Sequence, residues 1–350
     1  MSLTNTTLPP PEALRALASW ELPGPPAAIE LGSGTANASV ILRWGDRELL
    51  LKRRNPRYAR EQWVRFDHAL MAHLSGRGIP VPVALPTRGG QKWAVAGGEV
   101  YELYPFMPGD QHRPGDEREV LAAGEMLGRF HLASADFEPP SDKSWDQYHS
   151  PAAIVEGLAR ITALGRLPDD QQAETLRAAE KLGRELLDRL PDEAYWSLPA
   201  TIVHGDWHPA NLKFTGERVA GVFDLDWCTR QPRMVDLADG LLFFCGRRRE
   251  PLIAGDIWSL TESFEMDSAL LTALGAGYIS VVTPTDRELR ALPDLMRCRW
   301  LYCRVDAAIR KVEPERRAEF VTRDLLGPLG WLDANEGRIA DGNALGLRSG

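Results

Sequence analysis

The fold of this chain can be read from one segment, Val203-His204-Gly205-Asp206-Trp207-His208-Pro209-Ala210-Asn211, which short predicted strands flank. A second stretch, Gly221-Val222-Phe223-Asp224-Leu225-Asp226-Trp227, places Asp224 thirteen residues after Asn211. If this stretch is an extended strand, Asp224 and Asp226 point to the same side. Two carboxylates and an amide oxygen are the sparse ligands that Mg²⁺ takes when phosphate oxygens complete its shell. The sequence therefore predicts a metal site at Asn211 and Asp224, with Asp226 as a further contributor.

Asp206 lies five residues before Asn211, close enough to share this site without binding the metal. A carboxylate there is placed to orient or deprotonate an attacking hydroxyl group. The neighbouring His204 and His208 allow a zinc site as the rival interpretation, but no third His or Cys stands at ligand spacing. Asp236, further along, is expected to anchor the Asp206 loop or to cap a helix.

The N-terminal part reads as strands with one main helix. Residues 27–54 contain a Gly/Ser/Thr/Asn turn between apolar flanks, followed by an apolar strand that ends at Lys52. Only six of the 41 basic residues are lysines, so Lys52 stands out in a chain that otherwise uses arginine. Residues 57–75 have helical periodicity, and Asp67 falls on their apolar face. A carboxylate on such a face requires a partner.

A Pro/Gly break over 105–109 separates this part from the remainder of the chain. Beyond the break the periodicity is mainly helical, interrupted by short strands over 199–227. We therefore predict an α+β protein with a β-rich N-terminal lobe (1–104), a hinge (105–109) and a mainly helical C-terminal lobe (110–350).

Together these segments resemble the aminoglycoside phosphotransferase/choline kinase superfamily, whose fold is similar to that of protein kinases. The resemblance rests on His204-Gly205-Asp206 with Asn211, on Phe223-Asp224-Leu225-Asp226 and on Asp236-Leu237-Ala238, and covers roughly residues 25–310. The segments IPVPVALPTRGG and LGRFHLAS are similar to the homoserine-kinase-like branch. A bilobal, protein-kinase-like fold is what the resemblance implies.

The resemblance also implies a role for each matching residue. Asp206 becomes the catalytic base, Asn211 and Asp224 bind Mg²⁺, and Lys52 holds the α- and β-phosphates of ATP. Asp67 matches the acid that pairs with this lysine, with Glu61 as an alternative that lies about 240° around the helix.

Two further segments match the family's nucleotide site. The backbone amides of Ser33, Gly34 and Thr35 are expected to cover the phosphates. The segment 104–107 matches the hinge that binds adenine. Since Pro105 has no N–H, its carbonyl is the expected acceptor and the N–H of Met107 the expected donor.

The resemblance implies an ATP- and Mg²⁺-dependent phosphotransferase acting on a hydroxyl group of a small metabolite: an amino alcohol, an amino sugar, or a homoserine-like or aminoglycoside-like molecule. The alternatives are a protein Ser/Thr kinase of the same fold and a nucleotide-binding scaffold without catalysis. Only 11 residues separate Asp224 from Asp236, which leaves no room for a long activation segment and favours a small substrate.

Composition narrows the class of partner. A net charge of −8 argues against a general nucleic-acid binder. No apolar run is long enough to span a membrane, no secretory signal is visible and the four cysteines form no C-x-x-C pair, so a cytoplasmic protein with reduced thiols is expected. Residues 110–200 carry 18 acidic and 10 basic side chains, a hint of a cationic substrate. The oligomeric state stays open.

Overall fold

The computed structural model describes residues 8–32, 37–144, 150–164, 170–248 and 256–347. The chain divides into two compact units. The first comprises Met1–Gly109, Asp136–Lys143 and Ala220–Asp226, and the second comprises Asp110–Ala135, Ser144–Val219 and Trp227–Gly350.

The first unit is built on an antiparallel five-stranded sheet in the order β1-β2-β3-β5-β4. Its strands are β1 (Ala28–Leu31), β2 (Ala38–Trp44), β3 (Arg47–Arg53), β4 (Ala94–Ala96) and β5 (Glu99–Pro105). Alternate residues of the two central strands, Val40 and Leu42 on β2 and Leu49 and Leu51 on β3, point into the core, as a half-buried strand pattern predicts.

Within the described residues, this unit contains the α-helices α1 (Pro10–Leu17) and α2 (Glu61–Gly76). The apolar stripe predicted for α2, represented by Trp63, Phe66 and Leu70, is buried. The helix begins later than its periodicity indicates, because residues Pro56–Tyr58 form a 3₁₀ turn that the side chain of Asn55 caps.

The second unit is mainly helical. Its helices are α3 (Glu117–Ser134), α4 (Pro151–Leu164), α5 (Asp170–Arg189), α6 (Asp192–Trp196), α7 (Met234–Phe244), α8 (Ser268–Ile279), α9 (Asp286–Lys311), α10 (Arg317–Thr322) and α11 (Leu326–Ala340). Its strands are β6 (Ala200–Val203), β7 (Leu212–Thr215), β8 (Arg218–Val222), β9 (Thr229–Pro232), β10 (Gly246–Arg248) and β11 (Phe264–Met266). They pair as β6 with β9, β7 with β8 and β10 with β11, and the last three residues of β8 belong to the first unit.

The predicted α+β class is confirmed: an antiparallel sheet occupies the N-terminal part, and helices dominate the remainder. None of the helices in the described parts of the chain is both long and apolar enough to cross a bilayer.

Helices α3 and α8 approach each other through glycines. A Cβ atom added at Gly124 would lie 2.1 Å from the carbonyl oxygen of Leu274, and one added at Gly277 would lie 2.1 Å from the carbonyl oxygen of Leu121. Both neighbours are backbone atoms, which cannot move aside as a flexible side chain can. The two helices can reach this separation only because both positions lack a side chain.

The variant Gly277→Ala is therefore expected to lower the free energy of unfolding by about 1–3 kcal/mol, the cost of overpacking a core. Gly337→Ala on α11 is the matched control, because no described atom lies within 4 Å of a Cβ added there. Alanine favours a helix over glycine, so this control is expected to keep or slightly raise stability. Urea unfolding of both variants makes the comparison, and equal stabilities would contradict the close-packing interpretation.

Candidate active site

The loop that carries Asp206 is held by Asp236 from α7. The backbone N–H groups of His204 and Gly205 each donate to the Asp236 carboxylate, at 2.7 Å in both cases. Asp236 is fully buried and also contacts His131 Nε2 at 3.0 Å. The predicted role of Asp236 as an anchor of this loop is confirmed, and the backbone on the N-terminal side of Asp206 is thereby fixed.

Asp206 itself is surrounded by donors within the second unit. Its Oδ1 lies 3.1 Å from Arg299 Nη2, and its Oδ2 lies 3.2 Å from His208 Nε2. Burial alone would raise the pKa of Asp206, but His208, Arg299 and His204 outweigh burial and hold that pKa well below its usual range. Asp206 is therefore a carboxylate at neutral pH, and 26% of its side chain stays exposed to a ligand.

Asn211 ends the same loop in a 3₁₀ turn over Pro209–Asn211. Its Nδ2 donates to the backbone oxygen of Asp206 at 2.9 Å. Because this bond uses the amide nitrogen, the amide oxygen is the atom of Asn211 that is suited to bind a cation. His208 accepts a bond from the N–H of Ala210 through Nδ1, which keeps the turn closed.

In the first unit, Lys52 at the end of β3 meets the two carboxylates of the second predicted stretch. Lys52 Nζ lies 2.9 Å from Asp226 Oδ1 and 3.7 Å from Asp224 Oδ1. Burial alone would lower the pKa of Lys52, but Asp226 and then Asp224 raise it, so the lysine is charged. Asn37 Nδ2 holds the other oxygen of Asp226 at 2.8 Å.

The local conformation of this stretch differs from the prediction. The strand does not continue through Asp226: β8 ends at Val222, Asp224 has a φ of +59°, and residues Leu225–Trp227 form a 3₁₀ turn. Asp224 and Asp226 are therefore not on one face of a strand. A left-handed aspartate is tolerated because its short polar side chain can bond locally, and here it turns the chain so that both carboxylates approach Lys52.

Asp67 has different partners from the predicted one. Asp67 Oδ2 lies 2.6 Å from Arg54 Nη1, and Asp67 Oδ1 lies 2.5 Å from Lys143 Nζ. The carboxylate that pairs with Lys52 is Asp226. Asp67 is thus not the pairing acid of Lys52 in this structure. The Asp67 side chain is one methylene shorter than the expected glutamate, and both of its oxygens contact other buried cations, Arg54 and Lys143. The alternative, Glu61, is exposed and pairs with Arg65 one turn further along α2.

The buried charges of the first unit form one cluster. Arg54 bridges Asp67, Glu102 at 2.8 Å and Asp226 at 3.4 Å, and Lys143 Nζ also donates to the backbone oxygen of Asp226 at 2.8 Å. The cluster contains Lys52, Arg54 and Lys143, the four carboxylates of Asp67, Glu102, Asp224 and Asp226, and the imidazole of His68, whose Nε2 lies 3.0 Å from Glu102. Asp224 is the most exposed of the carboxylates, at 28%, and it makes the longest contact with a cation. Asp224 is therefore the carboxylate of the cluster that a ligand can reach most easily.

The remaining predicted residues belong to the nucleotide segments. Ser33, Gly34 and Thr35 lie outside the described residues. Pro105 ends β5, where it pairs with Leu49, and the next residue, Phe106, donates its N–H to the backbone oxygen of Glu48 at 3.1 Å. The position of Met107 directly after this sheet edge is compatible with the predicted donor, which stays a prediction.

Several of these charged residues belong to no motif that can be recognised in the sequence. Arg54 stands in a run of basic residues that does not distinguish it from its neighbours. Arg299 lies 93 residues after Asp206, the carboxylate that it contacts. Lys143 carried a usable signal, because it is one of only six lysines in the chain. No pattern of neighbouring residues indicates that it is buried next to α2.

Lys143 is expected to stabilise the first unit strongly. Replacing it by methionine removes one of the two cations on Asp67 and takes the donor away from the Asp226 carbonyl. Burial raises the pKa of Asp67 although Lys143 and Arg54 act against it, so loss of Lys143 leaves a poorly compensated buried carboxylate. Breaking a buried pair in this way costs about 3–5 kcal/mol.

Urea unfolding of Lys143→Met tests this expectation against Lys181→Met. Lys181 is an exposed lysine on α5 that lies 3.6 Å from Glu185, and an exposed pair of this kind contributes only about 0–1 kcal/mol. Equal stability of the two variants would show that the Lys143 contacts are not stabilising.

No group of three or more His, Cys, Asp or Glu side chains within the described ranges is arranged to hold a metal ion by itself. A Mg²⁺ ion bound largely by phosphate oxygens needs only one or two protein carboxylates and does not require such a group.

The model of a family described as "Phosphotransferase enzyme family" matches residues 27–270. The homoserine kinase of Granulibacter bethesdensis is 28% identical to this chain over 288 residues, which cover 81% of each protein. The homoserine kinase of Allorhizobium ampelinum is 25% identical and covers 76% of this chain and 75% of its own.

Solved structures show the same fold at lower identity. An amicoumacin kinase in complex with AMP-PNP and Ca²⁺ superposes with a TM-score of 0.65 at 15% identity, covering 94% of this chain and 92% of its own. An aminoglycoside phosphotransferase from Alicyclobacillus acidocaldarius gives a TM-score of 0.63 at 16% identity, covering 95% and 96%. The resemblance to aminoglycoside phosphotransferases inferred from the sequence motifs is confirmed.

Proposed function

This chain belongs to the phosphotransferase enzyme family as a kinase whose acceptor is a hydroxyl group of a small molecule, and we propose that it transfers the γ-phosphoryl group of ATP, with Mg²⁺, to the hydroxyl group of a small metabolite that also carries an amino group. Homoserine is the first candidate for the acceptor. The supporting relatives are homoserine kinases that match this chain over most of its length.

The observation that carries the proposal is the state of Asp206. Its loop is fixed by Asp236, its side chain is partly exposed, and its pKa is held below the usual range. Such a carboxylate accepts a hydrogen bond from a substrate hydroxyl and aims that oxygen at the phosphorus atom. Because it is a weak base, orientation and charge stabilisation are its main contributions, and the hydroxyl proton passes to the Asp206 carboxylate late in the transfer, as the new O–P bond forms and the bond to ADP breaks.

For the phosphate donor, we propose that Lys52 binds the α- and β-phosphates of ATP. The ammonium is held in the structure by Asp226, which is in turn held by Asn37 and Arg54. A lysine fixed in this way loses little conformational entropy when phosphate oxygens approach it. The Ser33–Thr35 amides, the Pro105 carbonyl and the Met107 N–H remain the proposed contacts to phosphate and adenine. Asp67 supports the site without pairing with Lys52: it holds Arg54 and Lys143, and both of these cations contact Asp226.

The residues present fit a divalent cation. Asp224 is the most exposed carboxylate of its cluster, and Asn211 has an amide oxygen suited to coordination. These two residues are the proposed ligands, whereas Asp226 is engaged by Lys52, Arg54 and Asn37 and is better assigned to positioning Lys52. When bound, Mg²⁺ neutralises charge on the β- and γ-phosphate oxygens.

The test is a substrate panel measured by ADP release in the presence of Mg²⁺. The panel contains homoserine, choline, 1-amino-2-propanol, kanamycin and a serine-containing peptide. We expect homoserine to raise ADP release at least tenfold above the rate without an acceptor. Turnover with another alcohol of the panel would retain the kinase assignment but overturn homoserine. Transfer to the peptide alone would favour the protein-kinase alternative, and failure of ATP to bind would contradict the proposal.

A further inference from the structure

We propose that Arg299 is a positioning residue for Asp206: it connects this carboxylate to the buried carboxylate of Asp239 and holds it in the orientation that receives the substrate hydroxyl. The inference rests on the proposed function, since it concerns the same carboxylate. All residues involved belong to the second unit.

Arg299 lies on α9 and uses two different edges of its guanidinium. Nη2 lies 3.1 Å from Asp206 Oδ1, and Nε is in close contact with Asp239 Oδ1. The side chain is 8% exposed, and its guanidinium carbon lies 5.4 Å from the centroid of the Phe243 ring, which covers one face. A planar group held on two edges and one face has little freedom to rotate, so it transmits the position of Asp239 to Asp206.

Asp239 comes from the helix that already anchors the Asp206 loop. It lies three residues after Asp236 on α7, so both carboxylates lie on the same side of that helix. Asp236 receives the backbone amides of His204 and Gly205, while Asp239, which is fully buried, meets Arg299. One turn of α7 thus fixes the backbone of the loop directly and its catalytic side chain through Arg299.

A direct role for Arg299 in binding an anionic group of the substrate is less consistent with these contacts. Its guanidinium already contacts the carboxyl groups of Asp206 and Asp239, and both edges that it uses are engaged. A substrate anion would have to displace Asp206, the group that the reaction needs. The other atom of Asp206, Oδ2, has the longer contacts, 3.2 Å to His208 Nε2 and 3.3 Å to Asn211 Nδ2. That oxygen is the one more easily taken over by a substrate hydroxyl.

The test compares Arg299→Ala with Arg297→Ala. Arg297 is also a buried, ion-paired arginine of α9, but its partners are Asp294, Asp333 and Glu336. It therefore controls for the loss of a buried guanidinium from the same helix. We expect Arg299→Ala to lower kcat by about 10–100-fold, with the KM for ATP and for the alcohol changed less than threefold. Arg297→Ala is expected to change kcat less than threefold, whatever its effect on stability.

Two further measurements separate positioning from folding. Guanidinium ion at low millimolar concentration is expected to restore part of the activity of Arg299→Ala and to leave the activity of Arg297→Ala unchanged. The reason is that only the space vacated by the Arg299 side chain adjoins Asp206. Arg299→Lys is expected to recover less than Arg299→Ala with added guanidinium, since an ammonium cannot span both carboxylates in a planar fork.

The inference fails if both alanine variants lose the same activity, or if guanidinium gives no rescue while Arg299→Ala is folded. A raised KM for the alcohol with an unchanged kcat would overturn it in favour of substrate binding. These outcomes are distinguishable from failure of the proposed function, because that failure appears in the wild-type protein as the absence of transfer to any hydroxyl acceptor.

Discussion

Replacing Asp206 by asparagine is expected to lower kcat by about 10²–10⁴-fold, the usual range for a positioned acid–base group. Asparagine keeps the size of the side chain but removes the charge that Arg299 and His208 surround. Binding of ATP should be almost unchanged, because Lys52 and its cluster lie in the first unit. Single-turnover transfer and ATP affinity, measured separately, check the two halves of this expectation.

Asp116→Asn is the control for this variant. Asp116 caps α3 by accepting from the N–H groups of Arg118 and Glu119, and asparagine caps helices about equally well. Activity should therefore stay at the wild-type level, and stability should fall only slightly, because the pair with Arg113 that asparagine removes is exposed and such pairs contribute little. If Asp206→Asn also keeps wild-type turnover, Asp206 is not the carboxylate that accepts the hydrogen bond of the substrate hydroxyl, and the assignment is wrong.

Replacing Asp224 by asparagine is expected to lower turnover at least about 100-fold and to raise the Mg²⁺ concentration needed for half-maximal rate. The reason is the loss of the most exposed carboxylate of the Lys52 cluster. Asparagine is the appropriate substitution, because it tolerates the φ of +59° at this position better than alanine does. A titration of the initial rate with Mg²⁺ measures both effects.

The matched control is Asp324→Asn. Asp324 is the other non-glycine residue with a positive φ in the described part of the chain, at +49°, and lies between α10 and α11. An asparagine there tests whether the exchange disturbs a left-handed backbone. Wild-type Mg²⁺ dependence in Asp324→Asn and in Asp224→Asn alike would contradict the assignment of Asp224 as a metal ligand.

The Asp206 loop could be predicted because its pattern is local. His204, Asp206 and Asn211 lie within eight residues, and strands on both sides fix their spacing. Asp236 could be predicted as an anchor because the family motif places it at a short distance along the chain. The strand and helix patterns of the first unit likewise follow from burial of alternate or periodic residues, which the sequence displays directly.

The surroundings of Lys52 could not be predicted in the same way. Its partner Asp226 lies 174 residues away, and the choice between Asp226 and Asp67 depends on which buried cation reaches which carboxylate. Lys143 and Arg54 decide it because both pair with Asp67, which leaves Asp226 for Lys52. Neither residue belongs to a local motif. The prediction of an extended strand through Asp226 failed because alternation of apolar residues carries no signal for a single left-handed residue at Asp224.

The central claim, transfer of phosphate to a small hydroxylated molecule, is tested most directly by ³¹P NMR of a reaction containing the protein, MgATP and homoserine. The account predicts that the γ-phosphate signal of ATP is replaced by one phosphomonoester signal, in equal amount to the ADP formed, and that Asp206→Asn slows this replacement by at least 100-fold. Release of inorganic phosphate without a phosphomonoester, with homoserine and with every other alcohol of the panel, would contradict it.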